Sequence, residues 1–267
     1  MRLYTPTNHA VEITARHNSG TLEQRFVLFG GMFFALTLAL LMPGMAQSPH
    51  FHAFADQRSW AGLPNAADVL SNLGFVLGGL TGFVALWRAD VCRINGTARA
   101  LCALFFLGLL CTSAGSSFYH WAPHNASLVW DRLGMSVAFA GLLGLAVQTR
   151  IDDISARVAA VVMLLAAPIS VAVWAQTSNV LPWVLVQAGG MLIVLWLAFV
   201  APRRHALPVE LGWVIALYAV AKLLEMSDSD VFDVTGHAFS GHSLKHWVAA
   251  AAALPVIRAL HLRREKQ

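Results

Sequence analysis

Charge is scarce in this chain. Of its 267 residues only 12% are Asp, Glu, Lys or Arg, against roughly a quarter in a soluble domain. Mean hydropathy is +0.62 and 57% of residues are hydrophobic. A separate soluble domain is thereby excluded, and a polytopic membrane protein is implied. Cysteine is scarce too. Cys92, Cys102 and Cys111 all fall in or beside one apolar run, an odd number that gives no disulfide framework. Low-complexity linkers are absent and loops are short. The net charge of +4 comes from arginines at loop ends, which read as topology signals and exclude a nucleic-acid surface.

What is present is long apolar runs. A spanning helix needs about 20 mostly apolar residues. Eight runs qualify: 26–45, 67–87, 98–120, 126–147, 156–174, 182–200, 208–226 and 242–260. The expected fold is all-α and polytopic. Segment 1–25 is a polar tail, and Pro168 and Pro255 lie where they would kink their spans. Gly74, Gly78 and Gly82 recur every four residues, a small-residue face for helix packing. The stretch Pro43-Gly44-Met45-Ala46-Gln47 also suits a signal-peptide cleavage site, but the long polar segment before the first run favours an uncleaved helix.

Basic residues alternate cleanly between loops. Arg2, Arg16, Arg25, Arg88, Arg93, Arg99, Arg150, Arg157, Arg203, Arg204, Arg258, Arg263, Arg264 and Lys266 fall on one side, 14 of 18. The other side holds Arg58, Arg132, Lys222 and Lys245. Both termini are therefore expected in the cytoplasm.

The polar residues that remain inside the runs converge. His120 closes the third run, Asp131 opens the fourth, and His242 and His246 open the eighth. This topology puts all of them on the non-cytoplasmic side, along with His50, His52, His124 and His237. Imidazoles and carboxylates are costly at membrane depth and seldom sit there without a task. His242 and His246 are i and i+4, so they share a helix face, and Ser116 and His120 repeat that spacing. Three imidazoles with one open position are how a catalytic zinc is held, although other transition metals also accept imidazole.

These motifs resemble those of the alkaline ceramidases, members of the CREST superfamily of seven-helix membrane hydrolases that also includes adiponectin-receptor-like proteins. The residues that carry the resemblance are Ser116 and His120, Asp131 eleven positions later, and His242 with His246. Asp56-Gln-Arg-Ser-Trp60, Pro64-Asn65, Ser71-Asn72 and Ser240-Gly241-His242 are similar to segments of bacterial ceramidase-like proteins. The resemblance covers about 56–260. It implies a seven-helix domain over 56–261 and makes 26–45 an extra N-terminal transmembrane helix.

The resemblance further implies an intramembrane, zinc-dependent hydrolase that cleaves the N-acyl bond of ceramide or a related N-acyl lipid. His120, His242 and His246 would hold zinc, Asp131 would be the general base, and Ser116 would assist the oxyanion or orient water. Ser116 could equally bond its own helix backbone, and Asp131 could simply favour a helix N-terminus. Calcium is implied at Asp56, Asn65 and Asp68, but Asn65 stands where the family has glutamate, and calcium prefers several carboxylates. Asp56 could instead pair with Arg58, and Lys222 with Glu225. The expected location is a bacterial inner membrane with the site facing the periplasm. The competing expectations are an adiponectin-receptor-like sensor with a structural metal, and a solute or metal transporter. A transporter predicts polar residues through the full membrane depth, and 156–174 and 182–200 have almost none.

Overall fold

A computed structural model describes residues 8–92 and 94–265, with side chains described for 21–92 and 94–262. Residues 1–7 of the expected polar tail, together with Arg93 and Lys266, lie outside the described residues, as do the side chains of Arg16, Arg263 and Arg264. Among the described residues eleven helices follow in order. They are α1 (Asn8–Leu41), α2 (Ala66–Ser71), α3 (Leu73–Arg88), α4 (Gly96–Trp121), α5 (Asn125–Arg150), α6 (Asp153–Thr177), α7 (Leu181–Ala198), α8 (Leu211–Met226), α9 (Asp228–Val234), α10 (Gly241–Ala250) and α11 (Ala253–Glu265). Among the described residues there is no strand, only isolated bridges at Ala46–Asn179 and Trp60–Leu63. Helix α1 begins at Asn8, well inside the segment expected as a tail.

Six helical stretches are long and apolar enough to cross a membrane: Thr21–Leu41, Ala66–Arg88, Gly96–Trp121, Asn125–Arg150, Asp153–Thr177 and Leu181–Ala198. Their outward faces expose Phe33, Leu40, Leu165 and Leu192, side chains that soluble proteins seldom display together. The chain is an integral membrane protein. The runs expected at 208–226 and 242–260 come out shorter. Helix α8 has 16 residues, roughly 24 Å of rise against an apolar bilayer core of about 30 Å. The last run is divided between α10 and α11. Pro255 explains the break: its ring would collide with the carbonyl of Ala251, four residues back, and it has no N–H to give. Pro168, by contrast, stays within one continuous α6.

Helices α4 and α5 form the central antiparallel pair. Their backbones nearly touch, because glycine leaves no side chain between them. A Cβ added at Gly108 would lie 2.2 Å from the Ala138 nitrogen, and one at Gly115 would lie 2.2 Å from the Trp130 carbonyl oxygen. The second contact sets the Ser116 turn of α4 directly against the Asp131 turn of α5. The glycine face of α3 packs as its spacing implies, with Gly74 against Trp247 and Ala250, Gly78 against Ala253, and Gly82 against Phe106.

The two ends of the bundle differ. One end carries ion pairs between separate segments: Arg25–Asp152 at 2.9 Å, Arg203–Asp153 at 2.8 Å and Arg258–Glu210 at 3.4 Å. Asp152 also caps α6 by accepting from the Ile154 and Ser155 N–H groups. Burial pushes its carboxyl up, but the hydrogen bonds from Arg25 and Ser155 outweigh that and hold it at about 2. The opposite end collects the histidines.

The α4–α5 contact predicts a steric penalty. In Gly108→Ala the clash with backbone, about 1–3 kcal/mol, outweighs the roughly 1 kcal/mol that alanine gains in helix propensity. Thermal unfolding in detergent should show a lowered midpoint. Gly30→Ala, whose Cβ would meet nothing within 4 Å, should hold or raise it.

Candidate metal centre

Two helix ends bring the three histidines together. His120 is on the last turn of α4, and His242 and His246 lie on the first two turns of α10. They are 1%, 6% and 3% exposed. One ring nitrogen from each lies within 4.8 Å of the others, so this buried group could hold a metal ion. Ring centroids are 4.7 Å (120–242), 5.1 Å (120–246) and 5.0 Å (242–246) apart. His120 Nε2 and His242 Nε2 are 3.2 Å apart. Two nitrogens each about 2.1 Å from a tetrahedral ion stand about 3.4 Å apart, so the His120–His242 spacing suits a shared metal ion of that kind.

The outer sides of the rings are held by α2. The Ser71 hydroxyl lies 2.9 Å from the Asp68 carbonyl and 2.7 Å from His246 Nδ1. A hydroxyl has one proton, and the carbonyl can only accept. Ser71 therefore donates to Asp68 and accepts from His246 Nδ1–H, leaving the Nε2 lone pair of His246 facing inward. Asp68 is fully buried. Its Oδ1 accepts from Ser243 Oγ at 2.6 Å, and its Oδ2 faces His120 Nδ1 at 3.9 Å. Neither of those last two atoms has a hydrogen-bond partner. A ligating histidine commonly gives its second N–H to such a carboxylate. Asp228 fixes the start of α10. It accepts from the His242 N–H at 2.8 Å through Oδ1 and from the Ala55 N–H at 2.9 Å through Oδ2.

Asp131 and Ser116 sit beside this centre. Asp131 is in the second turn of α5, beyond the first turn that a dipole role would need. Its carboxyl faces the Ser116 side chain across the close approach of the two helices. Both line one cavity with His120, His242 and His246. That cavity has a volume of about 600 Å³, in the range of small-ligand pockets. Away from the histidines its wall is apolar, with Phe105, Leu109, Met135, Leu142 and Met191. Over the histidine end lies the 42–65 connection, whose Phe54 ring sits 4.7 Å from His120 and 4.5 Å from His242.

The residues expected to offer calcium each have protein partners. Asp56 takes two bonds from the Arg58 guanidinium, at 2.8 and 2.6 Å, which hold its carboxyl below the usual carboxylate range. Asn65 Nδ2 donates to the His120 carbonyl at 2.9 Å. Asp68 serves the histidines as described. A calcium ion there would compete with Arg58 for Asp56. The Lys222–Glu225 pair forms, and Lys245 joins it at 2.6 Å from the same carboxylate.

No protein family matches this chain, and no curated protein matches it.

Sequence reasoning missed the support around the rings. Ser71 and Asp228 gave no signal in spacing, because they act from other helices, and Ser243 acts through Asp68 of α2. Arg132 did give one: it is among the four basic residues on the sparse side. It proves to line the cavity.

The second-layer contacts predict a graded loss of metal. Purified protein should carry about one transition-metal ion per chain by elemental analysis. Asp68→Asn should weaken binding on the order of ten- to hundredfold in competition with a chelating dye, and His242→Ala should abolish it.

Proposed function

We propose that this chain is an intramembrane, zinc-dependent amide hydrolase that cleaves an N-acyl lipid, ceramide or a relative, into a free amine and a fatty acid. The observation that carries the reading is one cavity with two characters. Three buried imidazoles and the Asp131–Ser116 pair stand at one end, and an apolar pocket shaped for a hydrocarbon chain stands at the other. In the same proposal α8 with α9, and α10 with α11, complete a seven-helix core of the ceramidase kind. Helix α1 is the added N-terminal span, packed on α7. The arginine-rich end faces the cytoplasm and the histidine end faces the periplasm.

Zinc on His120, His242 and His246 would supply a Lewis acid for the amide carbonyl and a water acidified to a pKa of about 7. The protein's own groups divide the remaining work. The apolar pocket takes the acyl chain and thereby sets the amide at the histidine end. Asp131 accepts the proton of the attacking water and returns it to the amine as the C–N bond breaks. The Ser116 hydroxyl, beside Asp131, aligns that carboxylate. The 42–65 connection, with Phe54 over the rings, keeps bulk water out, which strengthens each of these interactions.

The test is release of amine from a fluorescent N-acyl sphingoid lipid by the purified protein in detergent, with and without a chelator. Chelation should abolish turnover, zinc should restore it, and Asp131→Asn should lower kcat by a factor on the order of 10²–10⁴ while leaving zinc bound. Turnover that survives in His242→Ala would falsify the proposed site. Zinc retention with no turnover of any N-acyl lipid would favour a structural metal in an adiponectin-receptor-like sensor.

A further inference from the structure

Among the described residues that line the cavity, Arg132 is the one cation with no carboxylate. Lys222 and Lys245 both close on Glu225. Arg132 forms no ion pair among the described residues, although it is only 3% exposed. Its Nη2 donates to Gln47 Oε1 at 2.7 Å, and its Nη1 is buried with no hydrogen-bond partner. Its guanidinium carbon lies 3.9 Å from the centre of the Trp174 ring, with Phe51 at 5.5 Å and Trp183 at 5.7 Å. Asp131 is next to it in sequence, but consecutive helix residues point roughly 100° apart, so the two diverge from α5. Asp131 turns to α4, and Arg132 turns to α6 and α7.

Buried charges are normally paired, and a lone one at membrane depth is costly. Aromatic faces recover part of that cost but leave the Nη1 donor unmet. A guanidinium presents a planar fork that matches carboxylate and phosphate oxygens two at a time. Arg132 lines the cavity together with Gln47 and Phe51, one residue along α5 from Asp131.

We infer that the cavity is built for an N-acyl lipid whose head group carries an anion, a carboxylate or a phosphate ester, seated on Arg132. This rests on the amide-hydrolase reading above and names its substrate class: N-acyl amino acids or phosphorylated N-acyl amines, in preference to neutral ceramide. The acyl chain lies in the apolar pocket, the amide at the histidines, and the head-group anion under the 42–65 connection.

The test separates binding from turnover. Three ketone isosteres, with CH2 in place of the amide N–H so that none can be hydrolysed, share a palmitoyl chain. They mimic N-palmitoylglycine, N-palmitoylethanolamine phosphate and neutral N-palmitoylethanolamine. Affinity is read by thermophoresis on the full-length protein in detergent. The wild type should bind at least one anionic isostere about tenfold or more tighter than the neutral one, the value of a charge-assisted bond. The arm that gains most distinguishes carboxylate from phosphate. Arg132→Gln should erase the preference, and Arg132→Lys should keep part of it. Equal affinity for all three in the wild type overturns the inference, as does a preference that persists undiminished in Arg132→Gln. If Arg132→Gln does not fold, the wild-type series and Arg132→Lys still decide. Failure of the hydrolase reading has a different signature: the hydrolysable lipids release no amine while the anion preference stands.

Discussion

Three buried imidazole rings meet at one place, and the rest of the histidine end follows from the need to satisfy them. Each ring has two nitrogens, and a buried polar atom without a partner costs about 1–3 kcal/mol. The outer nitrogen of His246 is met by Ser71, and that of His120 looks toward the second oxygen of Asp68. The inner nitrogens meet only one another. A cation at their centre is the arrangement that satisfies all of them together, which is why the buried trio is more informative than any single histidine. Asp68 also works in two directions. One oxygen is taken by Ser243 on α10, and the other is left for α4, so one carboxylate ties the two ligand-bearing helices to α2.

The second constraint is the approach of α4 and α5. Two helices with ordinary side chains stand 8–10 Å apart. Gly108 and Gly115 remove the side chains between these two, so backbone meets backbone. The Ser116–Asp131 pair depends on that approach, since neither side chain is long. Chemistry at this end is thus linked to glycines deeper in the bundle, and packing and function are one problem here.

Much of this was legible in the sequence because the bilayer limits what a chain can do. Long apolar runs gave the helices, arginine placement separated the two ends, and i,i+4 spacing put His242 and His246 on one face. The approach of His120 to that pair was inferred from depth alone. What was not legible depends on contacts between distant segments. Asp68 carried the signal of an acidic residue ahead of a helix, which fits a calcium ligand as well as a histidine partner. Only its place against His120 and Ser243 tells the two apart. The division of the last run into α10 and α11 was half legible: Pro255 marked trouble, but whether a proline bends a helix or breaks it depends on the neighbours that take up the freed carbonyl. Pro168 and Pro255 differ in that way.

The 42–65 connection explains how a loop can serve a buried site. It has few regular elements of its own, yet it is fastened along its length. Val180 N–H donates to the Met45 carbonyl at 2.8 Å, and Met45 N–H donates to Asn179 at 2.9 Å. His52 reaches Tyr119 at 2.8 Å and Asn125 at 2.9 Å, and Ala55 is held by Asp228. A connection tied to α4, α5, α7 and α9 cannot swing freely as a rigid flap. It acts as a fixed roof over the histidines and Asp131, in a low-dielectric setting where a charge is felt most strongly. The same Asp228 that holds the roof at Ala55 holds the first turn of α10 at His242. Roof and ligands are therefore positioned by one carboxylate, and a displacement of either is transmitted to the other.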